Sequence, residues 1–164
     1  MAGESRPCHS VGGDYYEYLA PPDGRTLFAI GDVSGKGLSA SLLMCWFQAG
    51  LLSLSELGLG VLEVIRLLNR VLSRRFPDDR FVTLFYGLLD PSRDTLNYVN
   101  GGHCPPLLYQ SAGDPQPLAH TGPPLGLFEN RAYEQASVPF GTGATLLCYV
   151  TPNEHLGLPG PEDV

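Results

Sequence analysis

Charge is scarce in this chain. Only 16% of its 164 residues are Asp, Glu, Lys or Arg, ten of those are basic, and the formal net charge is −7. No lysine- or arginine-rich block occurs, and phosphate backbones are held by clustered positive charge, so nucleic acid is excluded as a partner. Cysteine is equally sparse: Cys8, Cys45, Cys104 and Cys148, with no C-x-x-C pair among them. Neither a zinc ribbon nor a redox motif is indicated. The spacing is not that of a small disulfide scaffold, so a reducing cytoplasm is the expected location. Cys45 and Cys148 lie in apolar runs and are expected to pack as small hydrophobes. No stretch approaches the length of a membrane span, and the amino terminus has no signal-peptide core, so no membrane partner is expected.

Hydrophobic residues are plentiful at 43%. With so little charge, that describes a folded protein and argues against a disordered one. The length suits one domain with a real core, here residues 1–164, and is short for two.

Twenty glycines and fifteen prolines divide the chain into many short elements. "SVGGDYYEYLA" has strand-forming aromatics after a Gly-Gly kink. "PPDG" (21–24) signals a turn, and "RTLFAIGDV" reads as the second strand of a hairpin. Leu38, Leu42, Leu43, Phe47 and Leu51 recur at helical spacing and predict an amphipathic helix over 38–55. Val61, Val64, Ile65, Leu68, Val71 and Leu72 mark a second helix, after Gly58 and Gly60 and ended by Pro77. Arg74 and Arg75 sit favourably near its negative end.

"FVTLFYGLL" (81–89) is apolar on both alternating faces, as in a central strand. "DPSRD" turns it back into "TLNYVN", with Pro91 at the preferred second position. "PPLLY", "AYEQASV" and "ATLLCYV" read as further short strands. The order is hairpin, helix pair, then an antiparallel β-rich half: an α+β layered domain. Parallel β-α-β alternation is absent, which disfavours a Rossmann fold.

The stretch "FAIGDVSGKG" (28–37) brings a carboxylate to the end of an apolar strand and follows it with small residues. A phosphate-cradling loop needs G-x-x-x-x-G-K-[ST], whereas three residues separate Gly31 from Gly35, and Gly37 stands where Ser or Thr belongs. A nucleophile elbow needs glycine two positions before its serine, and Ser34 has Asp32 there. If the hairpin strands pair, Asp14 and Asp32 share one end of the sheet. Two carboxylates so close repel unless a cation neutralises them, and hard divalent ions bind such oxygen clusters. The alternative is a pair of strand-end turn aspartates, one of them capping the helix at 38.

Taken in order, "VGGDYYEY", "FAIGDVSGKGLSASLLM", "FVTLFYGLLDPSRDTLNYVNGGHCPPLLY" and "GPPLGLF" resemble the metal-dependent (PPM, protein phosphatase 2C-like) serine/threonine phosphatases. More narrowly, they are similar to the bacterial SpoIIE-type branch that regulates sigma factors. The resemblance runs from about Ser5 to Tyr149. It implies a central antiparallel β-sandwich flanked by helices in four layers, α-β-β-α, with a Mn²⁺ or Mg²⁺ centre of two ions at one end. Asp32 matches the bridging aspartate, Val33 offers its backbone carbonyl, and Asp14 matches the other amino-terminal metal carboxylate.

The implied reaction is hydrolysis of phosphoserine or phosphothreonine by a metal-activated water. The implied substrate is a phosphorylated regulatory protein such as an anti-sigma factor antagonist. A homodimer is compatible with the sequence but not read from it. Gly35, Lys36 and Gly37 become a close turn into the helix, with Lys36 a solvated turn lysine. His103, in "NGGHCPP", is expected to order a loop; the family's motif has asparagine where Cys104 stands. Glu17, His9, His120 and His155 are expected to be exposed or loop residues without partners.

The match breaks after Tyr149. The family's next metal aspartate, in a "TDG"-like motif, falls on Thr151 or Pro152; Glu154 is nearby but out of register. Ala144 replaces the aspartate of the preceding turn. A further family aspartate lies beyond Val164, and Glu162 and Asp163 come too early for it. The domain is therefore expected to be incomplete at its carboxyl end and to begin inside the family's first strand. The alternative function is a phosphatase-like binding module without the full metal centre.

Overall fold

The computed structural model of the chain describes residues 3, 13–35, 37–77, 79–111 and 113–150. The expected hairpin is present: β1 (Asp14–Leu19) runs antiparallel to β2 (Thr26–Val33). The Gly24 amide donates to the Pro21 carbonyl, and Gly24 sits at φ 79°, where a Cβ would be penalised.

Helix α1 (Leu38–Ser55) has its predicted bounds, but not its predicted face. Ala40, Ser41, Met44, Phe47, Leu51 and Ser55 are buried, whereas Leu38 is 71% and Leu42 63% exposed. The helix is apolar nearly all round, so periodicity alone could not choose the stripe that packs. Cys45, expected in the core, is exposed. By length and composition α1 is also apolar enough to cross a membrane, contrary to the expectation that no stretch is. Its buried apolar residues, Ala40, Met44, Phe47 and Leu51, belong to the main core cluster and pack against the sheet.

Helix α2 (Val61–Arg75) ends where Phe76 turns extended at ψ 148°, as the residue before a proline prefers. Its stripe is Val61, Val64, Ile65, Leu68 and Leu72, while Val71 is 46% exposed. Val71 and Asn69 lie at opposite margins of that stripe, and it is the Asn69 side that the rest of the chain covers.

The strands that follow are β3 (Val82–Asp90), β4 (Thr95–Gly101), β5 (Leu107–Tyr109), β6 (Gln116–Pro117), β7 (Ala136–Pro139) and β8 (Thr145–Leu147). β6 was not expected, and "AYEQASV" forms a strand only from Ala136. Tyr133 instead turns into the core, 1% exposed. At the Asp90–Arg93 turn, Pro91 takes the second position, and the Asp90 carboxylate accepts from the Ser92 amide and hydroxyl.

The strands form two antiparallel sheets, ordered β1-β2-β3-β4-β7 and β6-β5-β8. One face of the larger sheet, with Tyr15, Ala29, Val33, Leu84 and Tyr86, packs against both helices. The other, with Phe28, Ile30, Phe85, Leu96 and Tyr98, packs against Leu108, Leu118 and Leu146. The fold is thus an α+β sandwich in which the described residues supply three layers, helices on sheet on sheet.

Candidate metal centre

The β1–β2 register sets Asp14 directly opposite Asp32. The Val33 amide donates to the Gly13 carbonyl at 3.2 Å, which makes Gly13–Val33 a hydrogen-bonded pair and Asp14–Asp32 a non-hydrogen-bonded one. Side chains of such a pair approach closest, with Cα atoms about 4.5 Å apart. Both carboxylates belong to the sheet face that meets the second sheet, because strand side chains alternate and Phe28 and Ile30 share it with Asp32. Like charges directly opposite one another destabilise a sheet unless something intervenes.

Gly13 explains the room beside them. A Cβ there would lie 2.7 Å from the Val33 carbonyl oxygen and 2.8 Å from Asp32 Oδ1. Two oxygens therefore crowd around one point that only glycine leaves open. Oxygen donors of this kind suit a hard divalent cation. Asp14, Asp32 and the Val33 carbonyl are the groups here that could hold one such ion. They do not assemble two ion sites: among the described residues no group of three or more His, Cys, Asp or Glu could hold a metal.

The loop after Val33 is stapled in place. Ser34 exchanges backbone and side-chain bonds with Phe81, and Arg80 Nη1 donates to the Ser34 carbonyl at 3.0 Å. Gly35 and Gly37 take φ values of 103° and 76°, so the close turn needs both glycines. The N-cap of α1 is Gly37, which has no side chain to cap with. The Lys36 side chain lies outside the described residues, as do Cys8, His9, His155, Thr151, Pro152, Glu154, Glu162 and Asp163.

His103 is 2% exposed and is more than a loop histidine. Its amide donates to Asn100 Oδ1 at 2.9 Å, its carbonyl accepts from His120 Nε2 at 2.9 Å, and its Nδ1 lies 3.2 Å from Thr83 Oγ1. Burial pushes its pKa down to about 4, so the ring is neutral at physiological pH. Thr83 is the β3 partner of Asp32. One row across the sheet therefore reads Asp14, Asp32, Thr83, with His103 at its end. His120, expected to lack a partner, has one, and Glu17 accepts from the Tyr18 amide.

Sequence reading missed Thr83, Arg80 and Asn100. Only Thr83 left a trace, as the one aliphatic hydroxyl in a mostly apolar strand. Ala144, standing where the family has an aspartate, is half-buried against the second core cluster. Cys148 is half-buried, as expected of a small hydrophobe, and burial pushes its thiol up to about 12. Deeper between the sheets lies a cavity of about 720 Å³, lined by Phe28, Ile30, Leu96 and Leu146 among others. It does not include the aspartates.

A sandwich of this topology with acidic residues at one end is a protein phosphatase 2C-like fold. The family described as Stage II sporulation protein E (SpoIIE) matches residues 22–150, and the chain belongs to that family. It is 32% identical over 144 residues to the phosphoserine phosphatase RsbP of Bacillus subtilis, covering 85% of this chain and 36% of RsbP. The chain thus spans little more than a third of that relative. Among solved structures, the RsbU and RsbW domains of Rv1364c from Mycobacterium tuberculosis superpose with a TM-score of 0.76 at 25% identity. That match covers 86% of this chain and 40% of the other. RsbX in complex with magnesium superposes with a TM-score of 0.70 at 15% identity, covering 85% of this chain and 66% of the other.

Proposed function

We propose that this chain is the catalytic portion of a metal-dependent protein serine/threonine phosphatase. The observation that carries the reading is the direct opposition of Asp14 and Asp32, beside a Val33 carbonyl and a glycine that leaves space for an ion. Mn²⁺ or Mg²⁺ is the expected cofactor, and the solved structure of RsbX with magnesium, a protein of the same fold, supports that choice.

Asp14 and Asp32 hold the cation, and their mutual repulsion is what its charge offsets. Val33 adds a neutral oxygen, and Ser34 and Arg80 keep the carbonyl aimed by fixing the loop behind it. A divalent cation so held supplies an activated water as nucleophile and positive charge against the phosphoryl oxygens. The substrate class is a phosphoserine or phosphothreonine on a regulatory protein resembling an anti-sigma factor antagonist. The naming of RsbP as a phosphoserine phosphatase supports this. A phosphoprotein regulator of transcription as substrate implies a cytoplasmic location.

One observation favours a second reading. No third carboxylate joins the pair among the described residues, as in a binding module that docks the same phosphoproteins without hydrolysing them. Manganese-dependent phosphate release from a phosphoserine protein, abolished in Asp32→Asn, supports the enzyme. Turnover without metal rules it out. Calorimetry separates the module, which binds phosphoprotein without tight Mn²⁺ sites.

A further inference from the structure

We infer that an arginine row on the outer face of α2, Arg66, Arg70 and Arg74 with Arg131 beside it, docks an acidic segment of the phosphoprotein substrate. The inference rests on the phosphatase reading and names what holds the protein beyond its phosphorylated residue.

Arg66, Arg70 and Arg74 recur every fourth residue of α2, so they stack on one face over about 12 Å. All three are exposed. The packing of a distant segment adds a fourth. Arg66 Nη2 donates to the Tyr133 carbonyl at 3.4 Å, and Arg74 Nε donates to Glu129 Oε1 at 2.7 Å. Residues 129–133 therefore run antiparallel alongside the row. Arg131, midway between those anchors, comes abreast of Arg70, midway between Arg66 and Arg74. It is exposed, with its guanidinium carbon 5.3 Å from the centre of the Phe128 ring.

This gathering is electrostatically costly. Like charges four apart on a helix repel, and Arg131 adds another from outside. Among the described residues, only Arg74 of the four has a carboxylate within ion-pair distance, that of Glu129. Glu63, the one acid on α2, sits before Arg66 in the first turn, where the positive end of the helix favours it. α2 carries four of the ten basic residues in a chain of net charge −7. The negative end of the helix accounts for Arg74 and Arg75, but not for Arg66 and Arg70 further back. A partner with matching acidic groups relieves their repulsion.

The row also leads toward the candidate metal centre. α1 leaves the loop behind Asp32 and α2 returns to it, because Arg80, soon after the end of α2, donates to the Ser34 carbonyl at 3.0 Å. A phosphoprotein with acidic residues around its phosphate is repelled by the net charge of this chain. A local positive surface beside the site reverses that repulsion and sets the orientation of approach. Guanidinium groups pair well with carboxylates. A nucleic-acid duplex presents its charge over a longer surface and meets the acidic remainder of the chain, which favours a short acidic protein segment.

The test measures Mn²⁺-dependent phosphate release from two phosphoserine peptides, one flanked on both sides by glutamate runs and one by glutamine runs. The wild type should favour the glutamate peptide by about three- to tenfold in kcat/KM, through KM with kcat unchanged, and the preference should shrink as salt rises. Arg70→Gln/Arg131→Gln should reduce the preference and Arg70→Glu/Arg131→Glu should abolish it. Both variants should hydrolyse the glutamine peptide as the wild type does. Equal efficiency on the two peptides in the wild type, or a preference that survives charge reversal, overturns the docking surface. If neither peptide is hydrolysed, the phosphatase reading fails instead. Fluorescence anisotropy of a labelled, unphosphorylated glutamate peptide then decides the docking: weaker binding to the charge-reversed chain supports it, and equal or absent binding overturns it. Displacement of that peptide by a DNA duplex at lower concentration than by its unlabelled form overturns it in favour of a nucleic-acid surface.

Discussion

Arg80 lies across Gly35 so closely that a Cβ on the glycine would fall 1.6 Å from Nη1, while that nitrogen donates to the Ser34 carbonyl at 3.0 Å. The guanidinium is the roof of the loop that follows Asp32. Gly35→Ala combines this clash with a left-handed φ of 103° and should destabilise the fold by about 1–3 kcal/mol. Arg80→Ala alone should cost about 1 kcal/mol for the lost bond. Combined, the two should cost less than their sum, because the shortened side chain removes the clash. Urea midpoints measure this, and strict additivity would show that the guanidinium is not what Gly35 accommodates.

Gly13 borders the Asp32 carboxylate and the Val33 carbonyl. Gly13→Ala puts a methyl against Asp32 Oδ1 and the Val33 carbonyl oxygen. Mn²⁺ affinity should fall about tenfold, as when a ligand's immediate support is disturbed. The urea midpoint should fall as well, because one of the two contacts is with backbone. Unchanged affinity with lowered stability would make Gly13 a packing glycine only.

Much of this arrangement was legible in the sequence because it is local. A turn signal at 21–24 with strands on either side indicates a hairpin, and pairing of those strands brings Asp14 and Asp32 to one end of the sheet; their direct opposition comes from the observed register. The helix bounds followed from glycine and proline. What stayed hidden depends on contacts between distant segments. Leu38 and Leu42 carry the same pattern as Phe47 and Leu51, and only the sheet decides which of them pack. Thr83 and His103 are twenty residues apart, and nothing in either stretch announces the other. Asn69 resembled a polar residue at the edge of an apolar stripe; its partners lie nearly sixty residues on.

Acid should reveal the buried His103. Burial lowers its pKa to about 4 from the ordinary 6.5; the Tyr149 backbone partly opposes this, and nearby His120 adds to it. Between those values the unfolded chain binds a proton that the native ring does not. Stability from this group is therefore intact above pH 6.5 and is lost as pH falls toward 4, by about 3 kcal/mol at most. Urea midpoints across that range should slope downward in the wild type, and the slope should flatten in His103→Asn. An equal slope in both would mean that the ring titrates normally in the folded chain.

Asn69 carries the attachment of α2 to the 124–133 segment. Its Nδ2 donates to the Phe128 and Glu129 carbonyls at 2.9 and 3.3 Å, and its Oδ1 accepts from the Gly126 amide and the Tyr133 hydroxyl at 2.9 and 3.1 Å. Every hydrogen-bonding position of the amide is used. Asn69→Leu, at a side chain that is 2% exposed, removes the partner of the Phe128 and Glu129 carbonyls and the Gly126 amide and leaves the Tyr133 hydroxyl only the Pro124 carbonyl at 3.4 Å; it should cost about 3 kcal/mol or more. Tyr133→Phe removes one donor and should cost about 1 kcal/mol. Asn69→Asp is the sharper test: it keeps the acceptor side but turns an anion toward two carbonyl oxygens. It should therefore be no milder than leucine, despite being the closer isostere. If the aspartate variant unfolds at the wild-type urea midpoint, the donated bonds do not hold this segment, and shape alone fixes the edge of α2.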